Sequence, residues 1–350
     1  MSSDPPFGSC PAPIPETERI LLGHGSGGGL GAQLLERVFL PAFGNTVLDR
    51  REDAAVLDVS AGRLAFTTDS YVVTPLFFPG GDIGRLAVNG TVNDLAMSGA
   101  RPLWLSAAFI LEEGLALDEL RAVVASMGEA AEEAGVTIVT GDTKVVGRGG
   151  ADRLFVNTAG IGVVPEGVRL GADQVRPGDA VLVSGTLGDH GVAIMAARQD
   201  LGLEGPLRSD TAALHGLVAD LLRACPGVHA LRDPTRGGLA ATLHEIAQAC
   251  GQGMEIDETA IPVRDDVRGA CEILGLDPVH VANEGKLVAF VASEHEEAAL
   301  AALRAHPLGR AAARIGGVTG DPAGRVVVRT SIGGRRVLER AWGELLPRIC

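Results

Sequence analysis

The last residue of the chain is a cysteine, and its position bears directly on the chemistry that the sequence can support. Cys350 follows Pro347-Arg348-Ile349, so its thiol lies on a free chain end that can enter a distant pocket and leave it again. Proline removes a backbone donor and disfavours a helix that continues to the terminus. The neighbouring terminal carboxylate disfavours ionisation of the thiol unless a basic group offsets it. We interpret Cys350 as a mobile nucleophile; the alternative is an incidental cysteine on a disordered end.

Four aspartates in the first half of the chain form a second candidate feature. Asp53, Asp69, Asp94 and Asp142 lie at the ends of predicted elements, and Lys144 follows the last of them. Carboxylates that share a small space repel one another unless a cation lies between them. Mg²⁺ prefers oxygen ligands and completes its coordination with water and phosphate. We therefore predict a metal–nucleotide site; the alternative is that each aspartate only caps a turn or a helix.

A glycine-rich run near the N-terminus is a weaker indication of phosphate binding. Residues 23–29 read GHGSGGG, precede a predicted helix and match G-x-G-x-x-G. The backbone NH groups of such a run can approach a phosphate closely. In that interpretation Gly25, Gly27 and Gly28 contact the nucleotide, and residues 20–22 form the preceding strand. The match is weak because glycine is abundant in this chain, and the alternative is a flexible hinge between the arm and the rest of the protein.

Two motifs in the second half combine charged side chains with glycine. Asp233 and Arg236 precede a glycine pair and a predicted helix, where they either bind a ligand or cap the helix. Glu284 lies in Asn-Glu-Gly-Lys, just before a strand predicted over 287–292. Glu284 is either a solvated charge at a strand end or a general base.

The composition favours a folded protein with two domains. The chain has 350 residues, of which 46% are hydrophobic and 21% are charged. Length alone suggests about two domains of roughly 150 residues each. Aromatic residues make up only 3%, so Ala, Val, Leu and Ile must form most of the core. The formal net charge of −14 disfavours non-specific binding to nucleic acid or to an anionic membrane.

The cysteines and the absence of targeting patterns indicate a cytoplasmic protein. There are five cysteines and none forms a C-x-x-C pair, so neither a disulfide framework nor a zinc site is expected. The N-terminus shows no signal-peptide pattern. No stretch approaches the roughly 18 uninterrupted apolar residues of a membrane span.

Apolar periodicity predicts alternating strands and helices. We expect a proline-rich arm at residues 1–18, an N-terminal domain over 19–165, a C-terminal domain over 175–337 and a tail over 338–350. The predicted strands cover 54–59, 64–68, 103–111, 136–140, 154–164, 180–184, 287–292, 313–318 and 326–328. The predicted helices cover 83–97, 117–134, 214–222, 239–247, 294–305 and 338–346, with Gly135 ending the second of these.

Eight motifs, taken together, resemble one known family. They are GHGSGG, REDAAV, TTDSYVVTP, AVNGTVNDLAMSGA, GDTKVV, RDPTRGGLA, ANEGKL and the terminal PRIC. In this order, over residues 19–350, they are similar to the HypE family of hydrogenase maturation factors. Its relatives, aminoimidazole ribonucleotide synthetase, selenophosphate synthetase and thiamine-monophosphate kinase, share an ATP-using two-domain fold. The resemblance implies a mixed α/β (α+β) architecture, a homodimer whose N-terminal domains pair into a β-barrel, and a mobile C-terminal tail.

The resemblance also implies the reaction and its partners. In that family HypF places a carbamoyl group on the terminal thiol, and the protein dehydrates it to a thiocyanate with ATP and Mg²⁺. The cyanide then passes to iron held by the HypC–HypD complex. Phosphorylating the carbamoyl oxygen makes it a good leaving group, and phosphoryl transfer depends mainly on positioning and charge neutralisation.

By resemblance, each candidate residue acquires an expected role. Cys350 carries the group, Lys144 offsets charge on the transferring phosphoryl group, and Glu284 is the base, with His24 as the second choice. The four aspartates already named hold Mg²⁺. The expected nucleotide ligands are Gly25, Gly27, Gly28, Asp69, Asn93, Asp142, Asp233 and Arg236. The alternatives are another ATP-dependent synthetase or kinase of the same superfamily, a nucleotide-binding oxidoreductase built on the glycine run, and a non-catalytic carrier.

Overall fold

A computed structural model describes residues 18–25, 29–50, 62–199, 207–321, 323–339 and 349–350. Several predictions fall outside these residues: nearly all of the N-terminal arm, the strand over 54–59, most of the helix over 338–346, and the site candidates Gly27, Gly28 and Asp53.

The secondary structure alternates between strands and helices along the described residues. The helices are α1 (Gly29–Leu34), α2 (Leu40–Phe43), α3 (Ile83–Met97), α4 (Leu117–Glu133), α5 (Asp189–Gln199), α6 (His215–Ala224), α7 (Gly238–Cys250), α8 (Asp265–Leu274) and α9 (Glu296–Ala305). The strands are β1 (Arg63–Tyr71), β2 (Phe77–Phe78), β3 (Gly81–Asp82), β4 (Arg101–Glu112), β5 (Thr137–Val146), β6 (Leu154–Val164), β7 (Ala180–Val183), β8 (Val228–Arg232), β9 (Gly253–Asp257), β10 (Val288–Val291), β11 (Ala313–Thr319), β12 (Val326–Arg329) and β13 (Arg335–Val337).

The first sheet has four strands in the order β1-β6-β4-β5, so β1 and β5 are its edges. Only β4 and β5 run parallel, and α4 connects them. Helix α3 packs against the sheet and against α4, which is why its side chains are buried almost throughout. Asp82 caps α3, because its carboxylate accepts from the NH groups of Gly84 at 2.7 Å and Arg85 at 3.2 Å.

The second sheet has seven strands in the order β13-β12-β9-β11-β7-β10-β8. Its pairs are antiparallel except for β12 with β9. The interior strands β7 and β10 are buried at every position, which explains why both appear in the sequence as continuous apolar runs. Helix α3 contacts α6 and β8, so the two sheet layers meet along it.

The structure confirms most of the predicted elements and corrects some boundaries. The helix over 83–97 is present with those bounds, and Gly135 follows α4 with φ +65° as a C-terminal glycine should. The prediction that Asp69 and Asp142 close their strands is wrong, because β1 continues to Tyr71 and β5 to Val146. The possible strand over 20–22 is also wrong, since residues 20 and 21 are in no strand and Leu22–Gly25 forms a 3-10 turn.

Among the described residues, we find no helix long and apolar enough to cross a membrane.

Candidate active site

The end of the chain is inserted into the protein rather than extended from it. Ile349 is only 3% exposed and belongs to the same apolar cluster as Ile194 and Ala282. The Cys350 thiol is hydrogen-bonded to the side chain of Glu284. The two residues that the sequence nominated as carrier and base are therefore in direct contact.

Glu284 is held in place through its backbone. Its NH donates to Asp210 Oδ1 at 3.0 Å, and its carbonyl accepts from Asn93 Nδ2 at 3.2 Å. Lys286 Nζ donates to the other oxygen of Asp210 at 2.9 Å, which completes a buried ion pair. A Cβ at Gly285 would lie 1.8 Å from the backbone oxygen of Asp210, so only glycine fits between base and ion pair.

The Glu284 carboxyl group has an environment that favours its protonated form. The residue is 4% exposed, and its Oε1 has no hydrogen-bond partner among the described residues. Burial raises the pKa of this carboxyl well above its usual range, and the negative charges of Asp233, Asp210 and Asp69 add to the effect. A carboxylate with a raised pKa suits a general base that must accept a proton near neutral pH.

Three further acidic residues surround this pair. Asp69 on β1, Asp94 on α3 and Asp233 just after β8 interact electrostatically with one another. Burial, followed by the charge of Asp94, raises the pKa of Asp233 to about 7. Burial and the charge of Asp69 raise the pKa of Asp94, while a hydrogen bond from Thr67 at 2.8 Å opposes the shift. These carboxyl groups form one acidic cluster between the two sheet layers.

The inserted thiol is protonated in this environment. Burial and the neighbouring Glu284 raise the pKa of Cys350 well above its usual range, and the positive charge of Arg236 only partly opposes them. Because the thiolate is the nucleophile, a thiol held here is a poor acceptor for a new acyl group. The inserted position therefore suits a group that the sulfur already carries.

Asp142 and Lys144 lie at the other edge of the first sheet. Asp69 pairs with Thr158, Thr158 with Ala107, and Ala107 with Gly141. Strands are spaced about 4.8 Å apart, so three intervals put β1 and β5 about 14 Å apart. Paired residues share a face, and Asp142, one residue after Gly141, points to the opposite face from Asp69.

The β5 edge of the sheet carries an exposed ion pair and the turn that begins the glycine run. Lys144 Nζ lies 2.9 Å from Asp142 Oδ2, and both side chains are more than 60% exposed. The turn Leu22–Gly25, the described part of the glycine run, packs against β5. His24 is buried in that turn, where its Nδ1 accepts from the NH of Leu21 at 2.9 Å. Lys144, Asp142 and the described part of the glycine run thus form a second group, separate from the acidic cluster.

No metal site is complete within the described part of a single chain, where no three acidic, histidine or cysteine side chains stand close enough to hold an ion. Asp69 and Asp94 are near each other, whereas Asp142 is at the far edge of the sheet. Asn93 is 1% exposed and bonds to protein groups, including the carbonyl of Ala212 at 3.0 Å and the NH of Leu214 at 2.7 Å. The metal and nucleotide roles assigned to these side chains remain predictions.

Sequence reasoning missed several residues that build the site. Asp210 anchors Glu284, His190 contacts the backbone of Ile349, and the hydroxyl of Tyr71 is buried near Asp69 and Glu284. Lys286 belongs to the Asn-Glu-Gly-Lys motif, so the sequence alone places it two residues from Glu284. Asp210 and His190 carry no local signal, because they reach Glu284 and Ile349 only through the tertiary fold.

Two family models match most of the chain. The N-terminal domain of AIR synthase related proteins matches residues 51–164, and the C-terminal domain of the same proteins matches residues 176–329. Together they cover well over half of the sequence, including every candidate aspartate.

Individual relatives and solved structures agree with these matches. A protein of Bradyrhizobium diazoefficiens, "Carbamoyl dehydratase HypE", is 59% identical over 330 residues, which are 94% of this chain and 95% of that protein. A crystal structure of hydrogenase maturation protein HypE in complex with ATP has a TM-score of 0.91 and 53% identity, and covers 94% of this chain and 99% of its own. A HypE–HypF complex has a TM-score of 0.78 and 49% identity, over 88% of this chain and 99% of that one.

Proposed function

Since this chain belongs to the HypE family of carbamoyl dehydratases, within the AIR synthase related proteins, we propose that it converts a carbamoyl group on Cys350 into a thiocyanate with hydrolysis of ATP. The single observation that carries this function is the contact between the terminal thiol and Glu284 inside the acidic cluster. The oxidoreductase alternative depends on a strand over residues 20–22 before the glycine run, but residues 20 and 21 are in no strand and Leu22 begins a 3-10 turn. A non-catalytic carrier would not need a buried base beside its sulfur.

The proposed reaction consumes the carbamoyl group and ATP and needs a base. The carbamoyl oxygen attacks the γ-phosphorus of ATP, and ADP leaves. The first proton leaves the carbamoyl nitrogen as the oxygen is phosphorylated, which gives a carbon–nitrogen double bond. A base removes the second proton, the carbon–oxygen bond to phosphate breaks, and a carbon–nitrogen triple bond forms; of the two protons, one is taken up by the released phosphate and the other passes to solvent. The products are a thiocyanate on Cys350, ADP and inorganic phosphate. Glu284 is the base, because it lies against the sulfur that bears the group and its raised pKa favours accepting a proton.

The acidic cluster fits a divalent cation. Burial and mutual repulsion raise the pKa values of Asp94 and Asp233, and a cation held between such carboxylates would relieve that repulsion. We infer that Asp69 and Asp94 would hold Mg²⁺, with Asp53 and Asp142 as the other candidates. Bound Mg²⁺ supplies charge neutralisation for the transferring phosphoryl group. Asp233 and Arg236 face the same space from the other sheet layer.

A homodimer would unite the two separated groups of one chain. The edges β1 and β5 are both unpaired in the described residues, and the outer face of the sheet exposes Phe66 at 70% together with Leu64 and Ile110. Such a face, continuous with open edges, supports pairing with a second copy into a closed barrel. If β5 of a second copy lies beside β1, its Lys144 and the described part of its glycine run come to the sheet edge that carries the acidic cluster of the first.

Loading and delivery require the tail to leave the pocket. A HypE–HypF complex is known for a relative that is 49% identical, and we propose HypF as the donor of the carbamoyl group here. We propose the HypC–HypD complex as the cyanide acceptor, on the family resemblance. Both steps need the thiol in solvent, where the groups that raise its pKa no longer act on it.

The test uses Cys350→Ala in the full-length protein, with Cys250→Ala as a matched control. We expect Cys350→Ala to bind ATP with unchanged affinity and to form no thiocyanate. The control and the wild type should show a C-terminal peptide lighter by one water after carbamoylation and ATP addition, measured by mass spectrometry. Thiocyanate formation or cyanide delivery by Cys350→Ala would refute the carrier role.

A further inference from the structure

A buried histidine contacts the inserted tail one residue before the cysteine. His190 lies in the first turn of α5 and is fully buried. Its Nε2 is 2.8 Å from the backbone oxygen of Ile349, and its Nδ1 is 2.8 Å from the hydroxyl of Ser209. Phe78 packs edge-on against the ring, with centroids 5.6 Å apart. Both ring nitrogens are thus engaged, one of them by the tail.

The hydrogen bonds around His190 define one arrangement of protons. A backbone carbonyl can only accept, so Nε2 carries a hydrogen and donates to Ile349. The NH of Thr211 donates to the Ser209 hydroxyl at 3.1 Å, which leaves the hydroxyl hydrogen free to donate to Nδ1. A neutral imidazole with its hydrogen on Nε2 gives a donor and an acceptor to each hydrogen bond in this series, from Thr211 through Ser209 and His190 to Ile349. Burial also lowers the pKa of His190, in agreement with a neutral ring.

The bond from His190 fixes the peptide group that joins Ile349 to the cysteine. The Ile349 side chain is packed in the apolar cluster, and its carbonyl is held by the imidazole. Two independent contacts therefore orient the last peptide, and the sulfur follows at the side chain of Glu284. This arrangement does not depend on what the sulfur carries, because the hydrogen bond from His190 to the tail goes to a backbone oxygen.

We propose that His190 is a positioning residue that latches the inserted tail and aims the sulfur of Cys350 at Glu284. It binds by a single hydrogen bond, strong enough to orient the sulfur and weak enough to release the tail. The latch does not touch the reacting atoms. Its importance for turnover rests on the proposed function, whereas its effect on the position of the tail does not.

Two substitutions of similar polarity separate the latch from the rest of the site. His190→Gln places an amide nitrogen near the position of Nε2 and keeps a donor for Ile349. His190→Asn places its amide near Nδ1, so it can still meet Ser209 but cannot reach the tail. A net hydrogen bond is worth roughly 1 kcal/mol, or about fivefold in an equilibrium.

The first measurement is alkylation of Cys350 by iodoacetamide without ATP, followed on the C-terminal peptide by mass spectrometry. We expect His190→Asn to be alkylated about fivefold faster than the wild type, since an inserted thiol is shielded, and His190→Gln to be within about twofold of it. Equal rates for the wild type and His190→Asn would overturn the latch. If His190→Asn fails to fold, Ser209→Ala, which removes the donor to Nδ1, should still raise the rate, and no rise there would overturn the latch equally.

The second measurement is single-turnover dehydration of carbamoylated protein at saturating ATP. We expect a fall of about fivefold in His190→Asn, rescue in His190→Gln, and an unchanged Kd for ATP in both. A weakened ATP affinity in parallel with the rate would indicate general damage to the site and count against the latch. Absence of thiocyanate from the wild type would reject the proposed function, while the alkylation result would still decide whether His190 holds the tail.

Discussion

Glu284 is the residue on which the proposed chemistry depends, and the protonation state of its carboxyl group controls the dehydration rate. The base must be a carboxylate before it accepts a proton from nitrogen. Burial and the charges of Asp233, Asp210 and Asp69 raise its pKa above the ordinary 4.5, so the carboxylate form is lost as pH falls through that raised value. The dehydration rate should therefore rise with pH on the acid side of the profile.

The pH dependence tests this role directly. We expect the single-turnover rate of carbamoylated protein to decline with falling pH well above pH 4.5. Asp233→Asn removes a neighbouring negative charge and should move the decline to lower pH. Glu284→Gln should accumulate the carbamoyl form with a loss of about 10²-fold or more in rate, the typical contribution of a positioned base. An unchanged thiocyanate yield from Glu284→Gln would remove this residue as the base.

At the scale of elements, the segment between Asn283 and β10 acts as a rigid support for the base. Asn283 donates to the carbonyl oxygens of Pro234 and Val281, both at 3.0 Å, and its own oxygen accepts from the NH of Gly188 at 2.7 Å. Asp210 and Lys286 then form an ion pair in which neither side chain is more than 12% exposed. Burial alone would raise the pKa of Asp210, but the positive charge of Lys286 holds that pKa below its usual value.

Breaking this ion pair should destabilise the protein measurably. Lys286→Met leaves the Asp210 carboxylate buried without its partner and should lower the free energy of unfolding by about 3–5 kcal/mol. Adding Asp210→Asn should recover much of the loss, because the amide oxygen can still accept from Glu284. Lys144→Met, which breaks an exposed pair, should cost only about 0–1 kcal/mol. Urea unfolding measures the free energy of unfolding of all three variants. Similar losses in Lys286→Met and Lys144→Met would show that burial of the Asp210–Lys286 pair makes no difference to its contribution.

The elements also show what the sequence could and could not predict. Long periodic segments such as α3 were predictable, because their apolar pattern is a local property. The five-residue strands β8 and β9 were missed because polar residues interrupt their apolar runs, whereas the four-residue strands β7 and β10 are apolar throughout. The sequence placed Glu284, Asp233 and Cys350 in one site, but only through whole motifs. The contact of His190 with Ile349 spans 159 positions and leaves no trace in either neighbourhood.

The face on which Asp142 lies was equally beyond local reasoning. Its strand was expected to end at 140, and in the structure it continues through Lys144. Side chains alternate along a strand, so the face depends on the pairing register, which is a tertiary property. That register puts Asp142 and Lys144 on the exposed face at one edge, away from the acidic cluster at the other.

At the scale of the whole molecule, one chain therefore carries two incomplete groups. The acidic cluster with Cys350 lies near β1, and Lys144 with the described part of the glycine run lies at β5. In a closed homodimer each site would take one group from each copy, so that two half-sites per chain become two whole sites per dimer. A site made within one chain predicts a different outcome when inactive variants are mixed.

Mixing Cys350→Ala with Lys144→Ala distinguishes the two arrangements. Each variant alone should form no thiocyanate above a small background. After unfolding and joint refolding, half of the dimers contain one copy of each, and in these one site combines the intact cysteine with the intact lysine. We expect about a quarter of the wild-type number of active sites, counted by thiocyanate formed in a single turnover. If each site uses its own lysine, no mixed dimer contains a complete site, and the yield stays at background. The control is Cys350→Ala mixed with Glu284→Gln, whose residues share one half-site and should not complement.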